Sequence, residues 1–378
     1  MTDMADTTAD TGDTVADTGD TMAGTGDTVA DTGDTPAASA GPTTPVPPAQ
    51  GVRAPWTAIP PRLRAAVARI AGGGEVVEAV TQHGGFSPGP AVRIRTSTGH
   101  RAFVKAVGVD TNPDSPGMHR REAEYTARMP AHAPVPKLLG TLDEDGWVVL
   151  VFEEIDGRNP DPAWADPDQL RRVVAALADL AGALTPPPIE VPSVAERLSG
   201  VHGWADLWAG LRVDLRADSR AADENATSDV RAPAGPLDAW ALERIDTLME
   251  LEAKGPGLCT GNTLLNLDVR ADNILMGSDG AVYFVDWPWA SVGADWLDLA
   301  LFVPSVWMHA GPEVARIVTE HPLLAAADPE ALAGFVACIS GMLSHASTQP
   351  PPPGLPTLRP FQRAFSGAAV EWLRTLVP

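Results

Sequence analysis

Acidic and amide side chains at a defined spacing interrupt one apolar stretch of the sequence, residues 264–289 (LLNLDVRADNILMGSDGAVYFVDWPW). Asn273 follows Asp268 by five positions, and Asp286 comes after a further apolar run. A carboxylate at the end of a buried strand needs a partner or a metal, because an unpaired buried charge is unfavourable. Phosphoryl transfer uses an Asp, an Asn and a second Asp as base and magnesium ligands. The stretch therefore predicts phosphoryl-transfer chemistry.

The apolar residues around these polar groups define the elements that must position them. Runs at 264–265, 274–276 and 282–285 predict short buried strands, and GSDG at 277–280 predicts the turn between the last two. The polar side chains would then lie at strand ends.

A glycine-rich turn, HGGFSPG at 83–89, lies upstream between a predicted strand at 75–81 and the predicted hairpin AVRIRT-STGH-RAFVKAV at 91–107. Its backbone N–H groups could wrap a nucleotide phosphate, because glycine allows close backbone approach. An ordinary Gly/Pro hairpin is the commoner explanation of the turn alone, since it is neither a Walker loop nor a full G-x-G-x-x-G motif. The candidate nucleotide-binding residues in it are Gly84, Gly85, Phe86, Ser87 and Gly89.

Lys105 lies between Val104 and Ala106 in an otherwise apolar strand. A buried ammonium group there requires an anionic partner, whereas a solvent-facing lysine does not. The helical stretch at 119–129 offers two glutamates, Glu122 and Glu124, one on either side of Ala123. One of them can face Lys105 while the other faces solvent.

The chain divides into three predicted regions. Residues 1–52 contain a repeat of Ala, Asp, Thr and Gly and a Pro-rich linker, and we expect disorder because little apolar surface offsets the ordering entropy. Calcium binding is a weaker alternative for the repeat, which contains no Glu. Residues 53–155 predict a sheet-rich nucleotide-binding lobe, and residues 156–378 predict a helical lobe with the catalytic loops and the acceptor site.

Apolar spacing of three and four residues predicts helices along the chain. They are expected at 62–71, 168–184, 193–215, 239–253, 296–306, 312–320, 329–347 and 361–376, with Ser193 as an N-cap. The polar piece at 216–235 predicts an exposed connection, and QPPPPG at 349–354 predicts a rigid extended link.

Composition excludes several classes of function. The net charge is −22, of which the nine Asp residues of the first fifty positions carry −9, leaving −13 without a basic stripe, so nucleic-acid binding is not expected. An acidic body suits a cationic small molecule but is equally a solubilising charge. No His spacing predicts zinc, no apolar run predicts a membrane span, and two isolated cysteines indicate a reducing compartment. We therefore expect a cytoplasmic protein.

The glycine-rich turn, Lys105, Glu122 and the Asp-Asn-Asp set occur in the order of the protein-kinase-like fold. More specifically, DVRADNIL followed by VDW, together with the REAE helix, resembles the aminoglycoside phosphotransferase family over about residues 75–305. The resemblance implies an α+β, bilobal fold with a small N-terminal antiparallel-sheet lobe and a larger helical C-terminal lobe. It also implies ATP and Mg²⁺ as cofactors and a small-molecule hydroxyl group as phosphate acceptor.

The resemblance further implies roles for individual residues. Lys105 would hold the α- and β-phosphates and pair with Glu122, which directly follows an Arg as the family glutamate follows a basic residue. Asp268 would be the general base, Arg270 would lie near the γ-phosphate, and Asn273 and Asp286 would ligate Mg²⁺. The chain around Glu153 and Ile155 would take the adenine through backbone groups, and Asp298 would brace the catalytic loop.

One motif departs from the family. The family usually has His-Gly-Asp where this chain has Asn266-Leu267-Asp268. Asn can still donate and accept a hydrogen bond, so the change puts loop order in question more than chemistry. A non-catalytic nucleotide-binding module, or a kinase for choline, homoserine or a sugar, is the alternative. The sequence leaves the acceptor's identity open and favours a monomer without fixing the oligomeric state.

Overall fold

The structure is a computed structural model that describes residues 46–210 and 239–377. Of the predicted disordered region at 1–52, residues 1–45 lie outside the described residues, as does the predicted connection at 216–235. Residues 46–52 are described, and the N–H groups of Gly51 and Val52 donate to the carbonyls of Gly85 and Gly354. All described residues belong to one compact unit of the chain.

A five-stranded antiparallel sheet forms the first lobe, in the order β1-β2-β3-β5-β4. Its strands are β1 (Val76–Thr81), β2 (Ala91–Thr96), β3 (Arg101–Gly108), β4 (Leu138–Glu144) and β5 (Trp147–Glu153). Helices α1 (Pro61–Ile70) and α2 (Ser115–Thr126) cover it. Alternation along β3 puts Val104 into the core shared with α1, whereas Phe103 packs with residues of α2 and β5. Lys105 shares the parity of Phe103 and therefore faces α2.

Helices dominate the second lobe. They are α3 (Pro167–Ala183), α4 (Val194–Leu198), α5 (Ala239–Glu243), α6 (Ile245–Leu258), α7 (Leu297–Ala310), α8 (Pro312–Thr319), α9 (Pro322–Ala325), α10 (Pro329–Thr348) and α11 (Leu358–Leu376). Residues 204–210 are also helical. The sheet lobe followed by this helical lobe confirms the predicted α+β fold class.

Helix α10 is the centre of the helical lobe and packs against α6 and α11. It is the one helix of the described residues long and apolar enough to cross a membrane by length and composition. However, 67% of its most apolar window is buried inside the protein. Its apolarity is explained by its place in the core.

Two small sheets hold the polar residues singled out in the sequence. β6 (Gly157–Arg158), β8 (Ile274–Gly277) and β9 (Val282–Phe284) form one antiparallel sheet, and β7 (Thr263–Leu265) pairs with β10 (Ser291–Gly293) in the other. Asp268 follows β7, Asn273 precedes β8 and Asp286 follows β9. The expected strand ends therefore position these three side chains.

The helix predicted at 193–215 is wrong in extent. Ser193 does form a capping box with Glu196, but α4 ends at Leu198. Gly200 then takes a φ of +76°, a left-handed conformation that does not continue a helix. The part of the prediction beyond residue 210 lies outside the described residues.

Candidate active site

Lys105 is buried between two carboxylates that come from different parts of the chain. Its Nζ lies 2.8 Å from Glu122 Oε2 on α2 and 2.9 Å from Asp286 Oδ1 after β9. Glu124, by contrast, pairs with Arg128 on the surface. Burial alone would lower the pKa of Lys105, but the charges of Asp286 and Glu122 outweigh burial and raise that pKa. The ammonium group is therefore charged and bridges the two lobes.

The loop that carries Asp268 is held by hydrogen bonds to the side chain of Asp298 on α7. Asp298 accepts the N–H groups of Asn266 and Leu267, both at 2.9 Å. Burial raises the pKa of Asp298 to about 6, against the opposing effect of these two donors. Leu267 has a φ of +55°, a strained value for a non-glycine residue that the two hydrogen bonds help to hold.

Asn266, which stands where the family usually has His, links two parts of the site. Its Oδ1 accepts the Asp268 N–H at 3.0 Å, and its Nδ2 donates to the Asp286 carbonyl at 3.2 Å. The side chain is 1% exposed. Both polar ends of the amide are thus used, and the loop is ordered with Asn in this position.

The Asp268 carboxylate is held by two residues that follow it closely in the sequence, Arg270 and Asn273. Asn273 Nδ2 donates to Asp268 Oδ2 at 3.0 Å, and the Arg270 guanidinium donates to Asp268 Oδ1. Arg270 also makes a two-point ion pair with Asp272, through bonds of 3.0 Å each. Burial raises the pKa of Asp268 to about 7, although Arg270 opposes the shift. A carboxyl with that pKa can take up a proton near neutral pH.

Asn273 and Asp286 offer oxygens that suit a hard divalent cation. Within the described residues, the side-chain hydrogen bonds of Asn273 involve only its Nδ2 group, and Lys105 contacts only Oδ1 of Asp286. Asn273 Oδ1 and Asp286 Oδ2 therefore remain available. The described part of the chain holds no cluster of three or more His, Cys, Asp or Glu arranged for a metal. The donor set fits Mg²⁺, which usually takes one or two protein oxygens together with phosphate oxygens and water.

The glycine-rich turn is fixed from outside by residues that precede the sheet lobe. Gln50 forms a parallel bridge with Gly85, whose φ is +85°. The Arg53 guanidinium donates to the carbonyls of Gly84 and Ser87. These bonds hold the turn open over the space in front of Lys105. Arg53 belongs to no motif and could not be predicted as a site residue from the sequence.

Two residues of the turn do not face that space. A Cβ on Gly89 would lie 2.5 Å from the Ala106 carbonyl, so this glycine serves close packing against β3. The Phe86 ring points to the other lobe and meets Phe361 edge-on, with centroids 5.0 Å apart. The expected nucleotide contacts of Phe86 and Gly89 are not supported by their placement.

Two cavities meet at Asp286. The first, here called the sheet-side cavity, has a volume of about 310 Å³ and is lined by Gly84, Gly85, Ser87, Lys105, Asp272, Asn273, Asp286 and the chain from Phe152 to Ile155. The second, called the helix-side cavity, has a volume of about 480 Å³ and is lined by Asp268, Arg270, Asp286, Phe86 and side chains of α2, α7, α10 and α11. Asp268 lines only the helix-side cavity.

The far end of the sheet-side cavity is the chain that leaves β5. The Glu153 side chain accepts the Lys137 N–H at 2.8 Å and its own N–H donates to the Lys137 carbonyl, so Glu153 is engaged with the sheet lobe. Among the described residues, no hydrogen bond is made by the Ile155 N–H. That group remains available to a planar ligand between Phe103 and Leu275, which line the same cavity.

A sheet lobe with a buried Lys–Glu pair, above a helical lobe that carries Asp, Asn and Asp, is the architecture of kinase-like phosphotransferases. The chain belongs to the phosphotransferase enzyme family (APH), whose family model matches residues 83–335, about two thirds of the 378 residues. The predicted family is confirmed, and the protein is a member of a phosphotransferase family.

Solved structures with a similar chain fold are kinases of several small molecules. They include an aminoglycoside phosphotransferase from Alicyclobacillus acidocaldarius (15% identity, 84% of this chain and 96% of that chain covered, TM-score 0.48). Choline kinase LicA from Streptococcus pneumoniae is 14% identical over 82% of this chain and 98% of that chain, with a TM-score of 0.49. A putative fructosamine-3-kinase from Haemophilus somnus is 12% identical over 84% and 97%, with a TM-score of 0.46. A search of curated proteins finds no match.

Proposed function

We propose that this phosphotransferase moves the γ-phosphate of ATP to a hydroxyl group of a small molecule. The observation that supports the proposal best is the position of Asp286, which lines both cavities and binds Lys105. ATP would occupy the sheet-side cavity, with its phosphates toward Lys105 and its base toward the Ile155 N–H. The acceptor would occupy the helix-side cavity, where its hydroxyl group reaches Asp268.

In the reaction, the acceptor oxygen attacks the γ-phosphorus, and the bond from that phosphorus to the bridging oxygen of ADP breaks. Asp268 orients the hydroxyl group and takes its proton, a role that suits a carboxyl with a pKa near neutrality. Asn273 and Asp286 would hold Mg²⁺, which neutralises charge on the phosphates when it is bound. Lys105 keeps the phosphates in place, and Glu122 keeps Lys105 in place.

Arg270 has a positioning role in this proposal. It is bound to Asp268 and Asp272, and its guanidinium lies over the Phe86 ring, 5.6 Å from the centroid. It therefore fixes the direction of the base and the edge of the acceptor cavity. The sequence-based expectation that Arg270 lies near the γ-phosphate stays a prediction.

The order of the Asn266 loop favours an active enzyme over a non-catalytic nucleotide-binding module. The test is to incubate the full chain with ATP, Mg²⁺ and a mixed pool of alcohols, amino alcohols and sugars. ADP formation together with a phosphorylated product in the mass spectrum supports the proposal. Tight ATP binding with neither ADP nor product would support the non-catalytic module instead.

A further inference from the structure

The residues that line the helix-side cavity indicate the chemical class of the acceptor. This inference rests on the proposed function. Because Asp268 lines this cavity and not the sheet-side cavity, a hydroxyl group that reaches Asp268 belongs to a molecule held here. The volume of about 480 Å³ lies in the range typical of sites for drug-sized molecules. The composition of its wall therefore reports on the acceptor's chemistry.

The wall is mostly apolar and is assembled from widely separated elements. Its apolar side chains are Phe86, Met118, Leu198, Val201, Leu267, Pro288, Trp289, Leu301, Phe335, Ile339, Met342, Leu343, Pro352, Leu355, Leu358, Phe361 and Phe365. Helices α10 and α11 supply seven of these seventeen residues. Such a surface binds a carbon skeleton by burying it and offers little to a strongly hydrated group.

The carboxylates of the described lining are nearly all paired within the protein. Glu122 and Asp286 share the Lys105 ammonium group, and Asp268 is bound by Arg270 and Asn273. Asp114 is the remaining acid of the described lining, and it is exposed near the start of α2. A polycation entering the cavity would lose the hydration of its ammonium groups, and within the described lining only the exposed Asp114 offers it a carboxylate without a cationic partner.

Two guanidinium groups of the protein already lie over Trp289, one of the five aromatic side chains (Phe or Trp) of the described lining. The guanidinium groups of Arg121 and Arg197 lie over the Trp289 ring, 5.8 and 5.7 Å from its centroid. Arg197 is fixed there by its hydrogen bond of 3.0 Å to the Ala290 carbonyl. An ammonium or quaternary ammonium group would meet like charge at Trp289 rather than a free aromatic face.

Residues 201–218, which lead away from α4, contain three acids: Asp206, Asp214 and Asp218. Asp206 is engaged with His202 and with the Gly203 N–H, and it does not line the helix-side cavity. Asp214 and Asp218 lie outside the described residues. The described part of this segment therefore gives the cavity Val201 and no carboxylate.

We propose that the acceptor is an uncharged alcohol with an apolar body, whose skeleton packs against α10 and α11 while its hydroxyl group reaches Asp268. The transfer step is the one described above, with the proton passing to Asp268 and ADP leaving. A polycationic amino sugar and a quaternary amino alcohol are poor acceptors under this proposal.

The first experiment compares acceptor classes on the full chain with ATP and Mg²⁺. The pool contains the uncharged alcohols 3-phenylpropanol, menthol and estradiol, the polycations kanamycin and neomycin, and choline. We expect phosphorylated product from an uncharged alcohol, with kcat/KM at least about 100-fold above that of any cationic member, because several desolvated charges separate the two classes. A cationic member as the best acceptor would overturn the proposal. So would ADP release from ATP and water with no uncharged alcohol phosphorylated. Failure of the proposed function itself looks different, since then neither ADP nor product forms.

The second experiment places a charge in the wall. Leu343 is half-buried on α10 and lines the cavity, and Thr348 on the same helix is exposed and does not. With 3-phenylpropanol and its para-aminomethyl derivative as matched probes, Leu343→Glu should shift the ratio of their kcat/KM values at least about tenfold toward the ammonium compound. Thr348→Glu should leave the ratio unchanged. An equal loss on both probes in Leu343→Glu would mean that the wall does not select for charge, and the proposal would fall.

Discussion

The two cavities that meet at Asp286 are built by different means. The sheet-side cavity contains charged groups joined by ion pairs, such as Lys105 with Glu122 and Asp286, beside apolar side chains such as Phe103 and Leu275. The helix-side cavity is lined mainly by apolar side chains. Charged groups at defined distances suit a ligand with a fixed charge pattern, such as a nucleotide phosphate. An apolar wall suits a ligand that is recognised by its shape. The sheet-side cavity therefore fits one fixed ligand, the nucleotide, and the helix-side cavity determines which acceptor is used.

The largest expected effect separates chemistry from nucleotide binding. Asp268→Asn removes the proposed base but keeps the shape of the side chain, and Asp268 lines only the helix-side cavity. We expect kcat to fall by about 10³-fold, within the range for a lost general base, while the Kd for ATP changes less than about threefold. Single-turnover kinetics and calorimetry on the same preparation measure both. Unchanged turnover would remove Asp268 as the base.

Lys105→Met should disrupt the sheet-side cavity, where we propose that ATP binds. It leaves Glu122 and Asp286 as buried carboxylates without their cation, so we expect the free energy of unfolding to fall by about 3–5 kcal/mol and ATP affinity to be lost. Urea unfolding and calorimetry measure the two effects. The double variant Lys105→Met with Glu122→Gln is the control: it should recover part of the stability and none of the affinity. If stability were unaffected in the single variant, the buried ion pair would not be as described.

Sequence reasoning succeeded where a pattern is local to the chain. The strand ends at Asp268, Asn273 and Asp286 follow from adjacent apolar runs, and the choice of Glu122 over Glu124 agrees with its contact to Lys105. The strand ends depend on apolar runs within a few residues, and the choice of Glu122 depends on the family resemblance, in which the glutamate directly follows a basic residue. The role of Asn266 was open from the sequence, because only the fold shows that both ends of its amide have partners.

The features missed by sequence reasoning depend on long-range packing. Arg53 donates to the glycine-rich turn where the chain runs beside it, next to the bridge between Gln50 and Gly85. No sequence motif predicts that bridge. Phe86 lies within the turn, yet its ring packs on Phe361 from the last helix. The apolar wall of the helix-side cavity combines residues that lie more than two hundred positions apart. Such contacts are set by the tertiary fold and not by local spacing.

A buried histidine of the helix-side cavity, His119, makes the free energy of unfolding depend on pH. His119 on α2 is 3% exposed, and its Nδ1 lies 3.0 Å from the Ser115 carbonyl. Burial, helped by the charge of Lys105, lowers the pKa of His119 to about 3. The unfolded chain therefore binds the proton at this side chain more readily, and the contribution of His119 to stability falls as the pH drops from about 6.5 towards 3.

For His119 the loss is about 2 kcal/mol between pH 6.5 and pH 5, if the folded side chain stays neutral. Urea unfolding of the wild type and of His119→Gln at both pH values measures the contribution. The variant should lose about that much of the pH dependence. An equal pH dependence in both proteins would show that His119 titrates in the folded state.

The smallest expected effect concerns Phe86, which belongs to the glycine-rich turn by sequence and to the helix-side cavity by position. Phe86→Ala should raise KM for the acceptor by about tenfold, the scale of one lost aromatic contact, and should change KM for ATP little. Initial-rate kinetics with each substrate varied in turn give both constants. The reverse outcome, with the larger change in KM for ATP, would return Phe86 to the nucleotide side.

The central claim is that phosphate crosses from the sheet-side cavity to the helix-side cavity past Asp286. The most direct measurement uses ATP labelled with ¹⁸O in the γ-phosphate, the acceptor pool and Mg²⁺, with the product analysed by mass spectrometry for the wild type and for Asp286→Asn. The account predicts that wild-type product on an alcohol oxygen carries the labelled phosphate and that the Asp286→Asn sample contains none. Labelled product in equal amount from Asp286→Asn would contradict it.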